Sequence, residues 1–289
     1  MPANHRRAAF AVLLASVLFS TGGAAIKWAD FSGWQIASLR SGIASLTLLI
    51  LLPDARRGWG WRPFVVGLAY AVTCICFVLA TRLTTSANAI FIQATSPLYV
   101  LVLGPLLLRE RTSRRDMLTM VPIAIGLWLF LSGPTEGGKT APDPATGNLI
   151  AALSGLSFAF AMVGFRWLGR SGNREATPVT AATIGNFIAC VAVLPLALPI
   201  GGHSGRDWAA LIYLGVFQIG IAYALVGRAL SRVSAMEASL LLMLEPVLNP
   251  IWSWLVHGEV PSARALLGAT LVLGATLARS AVSSEEAQT

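Results

Sequence analysis

The stretch LEPVLNPIWSWLVHGE, residues 244–259, is apolar and long enough to form a helix, yet it carries an acid, an amide and two prolines. A second stretch, TSPLYVLVLGPLLLRE at residues 95–110, resembles it. Pro97 corresponds to Pro246 and Glu110 corresponds to Glu259, with the same offset of 149 positions in both cases. The chain therefore contains an internal repeat, and one architecture has to account for both copies.

The composition indicates a membrane protein. The mean hydropathy of the 289 residues is +0.70, 55% are hydrophobic and only 12% are charged, whereas soluble domains carry roughly 25% charged residues. One soluble core could not remove so much apolar surface from water, but a bilayer can.

The net charge of +8 does not indicate nucleic-acid binding. The basic residues stand in short clusters between apolar runs, at 56–57 and 109–115, rather than along one face, and such clusters are typical of membrane topology. Three cysteines lie inside apolar runs, and their odd count and C-x-C spacing fit neither a disulfide framework nor a common zinc site. We expect no nucleic-acid partner, no metal and no cofactor.

Ten apolar runs are long enough to cross a hydrocarbon core of roughly 30 Å as helices. Breaks rich in Pro, Gly or charge separate them, for example at 52–63 and 132–144. The first run could be a signal peptide, but we interpret it as a span because residues 17–28 resemble residues 156–167. The predicted spans are 8–28, 33–52, 63–81, 86–108, 116–132, 147–168, 177–199, 207–227, 234–256 and 261–280.

The distribution of Lys and Arg predicts that both termini lie in the cytoplasm. Of the 21 such residues, Arg40 lies inside the second span and 15 fall on the cytoplasmic side when the N-terminus is placed there. Five fall on the opposite side, namely Lys27, Arg82, Lys139, Arg206 and Arg264.

Five spans per half is an odd number, so the second half has to be inverted relative to the first. The sequence thus predicts an all-α polytopic membrane protein of ten transmembrane helices in two inverted five-helix repeats. We expect a first repeat at 1–133, a periplasmic connecting loop at 134–146, a second repeat at 147–281 and a cytoplasmic tail at 282–289. Inverted repeats of this kind are frequent in transporters.

The chain resembles EamA-type members of the drug/metabolite transporter superfamily over nearly its whole length. The resemblance is carried by Lys27-Trp28 and Arg166-Trp167, by SLR at 38–40, and by the LEPVLNP…HGE run with its copy SPLYVLV…RE. Within the family the chain is similar to bacterial amino-acid exporters, including YddG-type exporters of aromatic amino acids. The seventh span departs from the pattern because it lacks an Arg equivalent to Arg40. The resemblance implies a ten-helix exporter of the bacterial inner membrane with a central cavity.

Glu245 lies at the centre of the ninth predicted span, where an acidic side chain costs roughly 2.5–3.5 kcal/mol on insertion scales. Pro246 and Pro250 each leave a carbonyl four residues earlier without its N–H donor. The spacing places Glu245, Asn249 and Trp252 on one helix face, and a carboxylate, an amide and an indole suit an amino-acid-like ligand. The alternative is a structural acid, either protonated or paired with a neighbouring helix.

Small polar and aromatic side chains form comparable stripes in several other spans. We predict that they line a shared cavity, although each of them could instead serve helix packing. The predicted substrate-binding residues are Ser20, Tyr70, Thr73, Phe77, Asn88, Ser96, Tyr99, Phe158, Phe217, Glu245, Asn249 and Trp252. The predicted helix breakers are Pro97, Pro246 and Pro250.

Lys27 and Arg40 are predicted to serve gating or structural pairing. Arg40 lies near the start of the second predicted span. There it could hold a substrate carboxylate, pair with Glu245, or extend its long side chain toward the membrane interface.

The sequence predicts a secondary transporter that exports amino acids, including aromatic ones, or related small metabolites by alternating access. A multidrug or other metabolite carrier of the same fold is one alternative, and a channel or scaffold protein is another. An enzyme is disfavoured because the chain has no H-E-x-x-H motif and no Gly-rich phosphate loop, and GHSG at 202–205 lacks the spacing of G-x-S-x-G. The expected partners are a small-molecule substrate and the lipid bilayer, and the expected functional unit is a monomer.

Overall fold

The computed structural model describes residues 3–108, 114–132, 137–170, 177–229, 238 and 241–286. These residues are almost entirely helical, and none of them belongs to a β-strand beyond an isolated bridge between Gly138 and Ala141. The helices are α1 Ala3–Ser20, α2 Gly22–Trp28, α3 Gly33–Leu51, α4 Trp61–Leu83, α5 Ser86–Gln93, α6 Ser96–Leu108, α7 Arg114–Leu131, α8 Pro144–Arg170, α9 Pro178–Ala197, α10 Gly205–Ile212, α11 Ala222–Ala229, α12 Leu244–His257 and α13 Ala263–Glu286.

The described helices correspond to the ten predicted spans. Seven segments are long and apolar enough to cross a membrane, and they correspond to the predicted spans one to four and six to eight. The fifth and tenth spans correspond to the shorter apolar helices Met120–Leu131 and Ala263–Ala275. The ninth corresponds to α12, which the structure describes from Leu244 onward. The all-α membrane fold predicted from hydropathy is therefore confirmed.

Several spans are built from two helical pieces rather than one. The helix of the first span is interrupted at Thr21, whose Oγ1 donates to the Leu18 carbonyl at 2.7 Å. The fourth span is interrupted between α5 and α6, just before Pro97. The eighth contains a π-helical segment, Tyr213–Ile221, between α10 and α11. Broken helices of this type supply unpaired backbone groups near transporter sites.

Glycines bring the interrupted spans together. A Cβ atom on Gly22 would lie 2.8 Å from the Gln218 amide, and one on Gly23 would lie 2.7 Å from Asn249 Oδ1. Only a residue without a side chain allows such an approach. The break in the first span therefore lies against the π-helical segment on one side and against α12 on the other.

The helices α3, α4, α8 and α9 pack against one another beside these interrupted spans. The backbones of α4 and α9 approach closely at Gly67 and Gly185, since a Cβ atom on Gly185 would lie 2.6 Å from the Gly67 carbonyl oxygen. Large apolar side chains such as Phe64 and Phe187 remain about half exposed on the outside of the bundle, which is the surface that faces lipid in a membrane protein.

Polar caps fix where several helices begin. Ser32 and Gln35 form a reciprocal capping box at the start of α3, and such caps typically contribute about 1 kcal/mol each. At the other end of the sequence, Gly258 ends α12 with a left-handed φ of 70°. That turn directs the following residue, Glu259, back into the bundle, where its side chain is buried.

Candidate functional site

Pro246 of α12 has the consequence expected from its chemistry. Because Pro246 has no N–H, the Leu242 carbonyl has no helical donor, and Ser16 Oγ on α1 donates to it at 3.3 Å. The donor is thus a side chain of the first span. The broken backbone of α12 ties the ninth span to the first.

A buried cation lies among aromatic side chains inside the bundle. Arg40 on α3 is only 4% exposed, and it lies beside Tyr70 and Cys74 of α4 and Tyr223 of α11. The Tyr70 hydroxyl donates to the Tyr223 hydroxyl at 2.6 Å. Glu245 of α12 is partly buried and also lies beside Tyr223.

The Arg40 guanidinium lacks an ionic partner. In the part of the chain that the structure describes, Nε and Nη1 have no hydrogen-bond partner, and no carboxylate lies within 4.0 Å of the guanidinium. The pair with Glu245, one of the three possibilities that the sequence left open, is therefore not formed. A buried cation without a counter-charge is costly, so this group is available to an anionic ligand.

Asn249 is buried against Gly23 and Ser86, with both atoms of its amide lacking a hydrogen-bond partner among the described residues. Trp252, one turn further along α12, donates its indole N–H to Ser20 Oγ at 2.9 Å. Asn249 and Trp252, two of the three residues that the sequence assigned to one face of α12, thus lie against α2 and α1.

Other predicted binding residues are engaged in helix packing. Thr73 Oγ1 bonds to Ser157 Oγ of α8 at 3.1 Å, and Phe77 belongs to the main hydrophobic core. Asn88 donates to Asn148 Oδ1 at 3.2 Å. These contacts match the packing alternative stated above.

The remaining predicted residues have other surroundings. Phe217 is 44% exposed and stacks on Tyr213, with ring centroids 5.8 Å apart. Ser96 is buried at the start of α6, whereas Tyr99 and Phe158 are partly buried. Among the predicted binding residues, Tyr70 interacts with Arg40, whereas Glu245 interacts with Tyr223.

One end of the bundle is closed by an ion pair that joins four segments of the chain. Lys27 Nζ donates to Glu259 and to the carbonyls of Thr84 and Thr140. Glu259 Oε2 in turn accepts from the Ser86 backbone N–H at 2.9 Å. The Lys27 and Glu259 side chains are 5% and 4% exposed. We call these five residues the Lys27 network.

Further contacts hold the same end of α2. Arg206 lies over the Trp28 ring, 4.1 Å from its centroid, and Asp207 Oδ1 accepts from the Asp30 backbone N–H at 3.0 Å. His257 bonds to the Ala24 carbonyl at 2.9 Å. The end of the first span is thus held by the start of α10 and by the end of α12.

A family model for the EamA-like transporter family matches the chain twice, over residues 6–132 and 145–280. The chain belongs to the EamA-like transporter family. The two matches cover one half of this EamA-like chain each and leave out only the connecting segment and the termini. The protein is therefore a multi-pass membrane transporter built from two related halves.

Relatives of this EamA-like transporter cover nearly its whole length. The pseudopaline exporter of Pseudomonas aeruginosa is 26% identical over 93% of this chain and 94% of its own. An uncharacterized protein of the same species is 30% identical over 96% and 98% of the two chains. An uncharacterized transporter of Archaeoglobus fulgidus is 26% identical over 92% and 94%. A solved crystal structure matches the fold with a TM-score of 0.61 at 19% identity, over 94% of this chain and 96% of the other.

Sequence reasoning missed two residues of this EamA-like transporter. Glu259 was noticed only as the counterpart of Glu110 in the repeat, which was the available signal, and it forms the buried pair with Lys27. Tyr223 interacts with both Arg40 and Glu245, and its ring packs edge-on against Phe19, with centroids 5.3 Å apart. Nothing in the spacing of the eighth span distinguishes Tyr223 from its apolar neighbours.

An apolar pocket of about 240 Å³ lies beside the first span. Trp252 and Tyr213 contribute aromatic surface to it, and the Tyr213 hydroxyl bonds to Thr21 Oγ1 at 2.9 Å. The lining residues are Thr21, Ala24, Ala25, Trp28, Ala210, Tyr213, Trp252 and Val256. The pocket offers room for an apolar side chain and few polar groups.

Proposed function

We propose that this EamA-like transporter exports amino acids, aromatic ones among them, from the cytoplasm across the bacterial inner membrane. The observation that carries the proposal is the buried Arg40 guanidinium, which has no counter-charge among the described residues. Tyr223 interacts with both Arg40 and the Glu245 carboxyl group. A zwitterion fits this arrangement, because its carboxylate would bind Arg40 as a charge-assisted partner and its ammonium group would lie toward Glu245. The relative that exports pseudopaline supports outward transport of a small metabolite.

Alternating access gives the Lys27 network its role. The charge count places the end of the bundle that carries this network in the periplasm, with both termini in the cytoplasm. With the network formed, the exit side is closed, and a substrate at Arg40 would enter from the cytoplasm. Release then requires the ion pair to separate, while the two inverted halves, 1–133 and 147–281, move around the site.

A broader metabolite carrier is the second candidate. The aromatic pocket beside Trp252 favours it, because an apolar pocket with few polar groups selects poorly between apolar compounds. The two candidates differ in what they require of the substrate: the amino-acid exporter requires a carboxylate, whereas the broader carrier does not.

Counterflow in liposomes tests the proposed function. Purified protein is reconstituted into vesicles that contain one unlabelled compound, and the entry of a labelled amino acid is measured. The internal compound is varied over a panel of amino acids and apolar drugs. We expect saturable uptake that amino acids inside the vesicles accelerate. Flux that does not saturate would indicate a channel, and equal acceleration by drugs without a carboxylate and by amino acids would indicate the broader carrier.

Trp252→Ala is expected to impair aromatic substrates selectively. Aromatic pairs contribute about 0.5–1.5 kcal/mol beyond their buried area, so the KM for phenylalanine should rise about two- to tenfold, while that for alanine changes little. Trp254→Ala is the matched control, because Trp254 lies on the same helix and is 54% exposed. Equal losses for phenylalanine and alanine would instead point to a structural role of the bond to Ser20.

Glu245→Gln keeps the size and hydrogen-bonding capacity of the side chain but removes its ability to ionise. Membrane insertion should persist, because a neutral amide costs less than a carboxylate inside the bilayer. Transport should fall by about tenfold or more, as expected for the loss of a bond to a charged group of about 1.5–3 kcal/mol, and its pH dependence should flatten. Flux is measured against pH for the wild type and for Glu245→Gln, with Asp54→Asn, a substitution at an exposed acid, as the control. This comparison shows whether transport depends on ionisation of Glu245. Full activity with the wild-type pH curve would remove Glu245 from the site.

A further inference from the structure

A long apolar groove runs along the outside of the bundle, between the start of α4 and the length of α9. Its volume is about 590 Å³. Phe64, Phe187 and Val191 are each about half exposed in it, so the groove opens away from the protein interior. The lining residues are Trp59, Gly60, Trp61, Phe64, Ile184, Phe187, Ile188, Val191 and Ala192.

The depth of the groove corresponds to one leaflet of a bilayer. The α9 residues of the lining begin at Ile184 and follow the i, i+3, i+4, i+7 spacing of one helix face. Thr180 Oγ1 donates to the Arg57 carbonyl at 3.2 Å, which places the start of α9 beside the loop before α4. From Ile184 to Ala192 the lined face of α9 rises about 12 Å, and half of the hydrocarbon core is about 15 Å.

The open end of the groove carries aromatic and basic groups. Trp59 and Trp61 are 50% and 66% exposed, as expected for indoles at a membrane interface. The Arg62 guanidinium lies 5.5 Å from the Trp61 ring centroid and 5.2 Å from that of Trp167. Arg57 is exposed on the same loop.

The charge at this end is positive on balance. The loop before α4 and the start of α4 carry three basic residues, Arg56, Arg57 and Arg62, and one acidic residue, Asp54. The Arg56 guanidinium donates to the carbonyls of Leu49 and Ile50. Of these three arginines, Arg57 and Arg62 are therefore the ones placed to receive a ligand at the mouth of the groove.

We infer that this groove binds one anionic phospholipid of the surrounding leaflet. One acyl chain would lie along the α9 face, and the phosphate headgroup would lie between Arg57 and Arg62, beside Trp59 and Trp61. Guanidinium groups bind phosphate with paired hydrogen bonds, and a basic cluster at the membrane surface favours anionic lipids. The inference concerns the outer surface of α4 and α9, so it holds or fails independently of the substrate bound at Arg40.

Native mass spectrometry of the purified full-length protein tests the headgroup. Phosphatidylglycerol and phosphatidylcholine with the same acyl chains are added in equal amounts, and the lipid retained after release from detergent is counted. We expect the wild type to retain one molecule of phosphatidylglycerol in preference to phosphatidylcholine. Each basic residue near the surface contributes about fivefold in affinity, so Arg57→Gln with Arg62→Gln should lower this preference by about tenfold or more.

Lys139→Gln with Arg264→Gln is the matched control, since it removes two exposed cations elsewhere on the chain. It should retain phosphatidylglycerol like the wild type. An equal loss in the control, or an unchanged preference in the Arg57/Arg62 variant, would overturn the inference. Should the double variant misfold, Arg57→Gln alone carries the test, with about a fivefold loss expected.

Ala192→Trp tests the acyl chain separately, because an indole at this exposed position fills the deep end of the groove. We expect less of both lipids to be retained, while the preference for phosphatidylglycerol over phosphatidylcholine stays as in the wild type. Retention of both lipids at the wild-type level would show that no chain lies in the groove. A peptide or detergent adduct in place of lipid at the wild-type groove would overturn the choice of occupant.

Discussion

Arg40→Gln is expected to lower amino-acid transport by about tenfold to a hundredfold, the cost of losing a hydrogen bond of about 1.5–3 kcal/mol to a charged group. The same substitution should leave the protein at least as stable as the wild type. Arg40 has no ionic partner among the described residues, so removing it strands no buried carboxylate. Counterflow and thermal unfolding in detergent, measured on the same preparation, give the two readouts.

Arg40→Lys is the informative companion variant. Lysine keeps the positive charge but not the planar pair of donors, so we expect transport between that of the wild type and that of Arg40→Gln. A large drop in the unfolding temperature of both variants, with transport per folded molecule unchanged, would make Arg40 a structural residue.

Glu259→Gln is expected to have the opposite profile, a large loss of stability. The substitution leaves the Lys27 ammonium group buried without its counter-charge, and breaking a buried pair by removing one partner costs about 3–5 kcal/mol. Replacing both residues, as in Lys27→Met with Glu259→Met, removes the unpaired charge and should recover most of the stability. Thermal unfolding of the single and double variants measures this, with exposed Asp54→Asn as the control.

Transport by the double variant tests the gating role of the Lys27 network. The two methionines should permit folding but no longer hold Ser86 and Thr140 together as Lys27 and Glu259 do. We expect amino-acid counterflow to change in rate, because closure of this end no longer depends on an ion pair. An unchanged counterflow rate in the double variant would show that the pair contributes nothing to closure.

Hydropathy and the repeat predicted the membrane fold, because a bilayer imposes its thickness on every helix. The chemistry of proline also predicted that Pro246 would leave a carbonyl without its helical donor. That carbonyl, of Leu242, accepts a hydrogen bond from Ser16 Oγ. These features depend on local sequence and on the solvent. They can be read before any tertiary contact is known.

The site depends on contacts that local sequence does not encode. Glu259 follows a Gly in a loop and resembles an ordinary interfacial acid, yet it pairs with Lys27, which lies 232 positions earlier. Phe217 stays a predicted cavity residue, and its stacking on Tyr213 with a 44% exposed side chain could not be foreseen from the sequence. In a membrane helix the faces toward lipid and toward protein are both apolar, so periodicity does not separate them.

The interruptions of the spans also divide into those that local sequence predicts and those that tertiary contacts determine. Pro97 marks the interruption between α5 and α6, whereas the break at Thr21 and the π-helical segment Tyr213–Ile221 have no proline. There the close approach of Gly22 to Gln218 accompanies the change of backbone. Such a change follows from packing between distant segments.

The central claim is that Arg40 receives the carboxylate of an amino acid, and the most direct test removes that carboxylate from the substrate. Counterflow of phenylalanine is compared with that of 2-phenylethylamine, which lacks only the carboxylate, in the wild type and in Arg40→Gln. We predict that the wild type carries the amine about tenfold or more poorly, in line with one bond of about 1.5–3 kcal/mol, and that Arg40→Gln carries both at similar low rates. Equal transport of the two compounds by the wild type, or the same preference in Arg40→Gln, would contradict the claim.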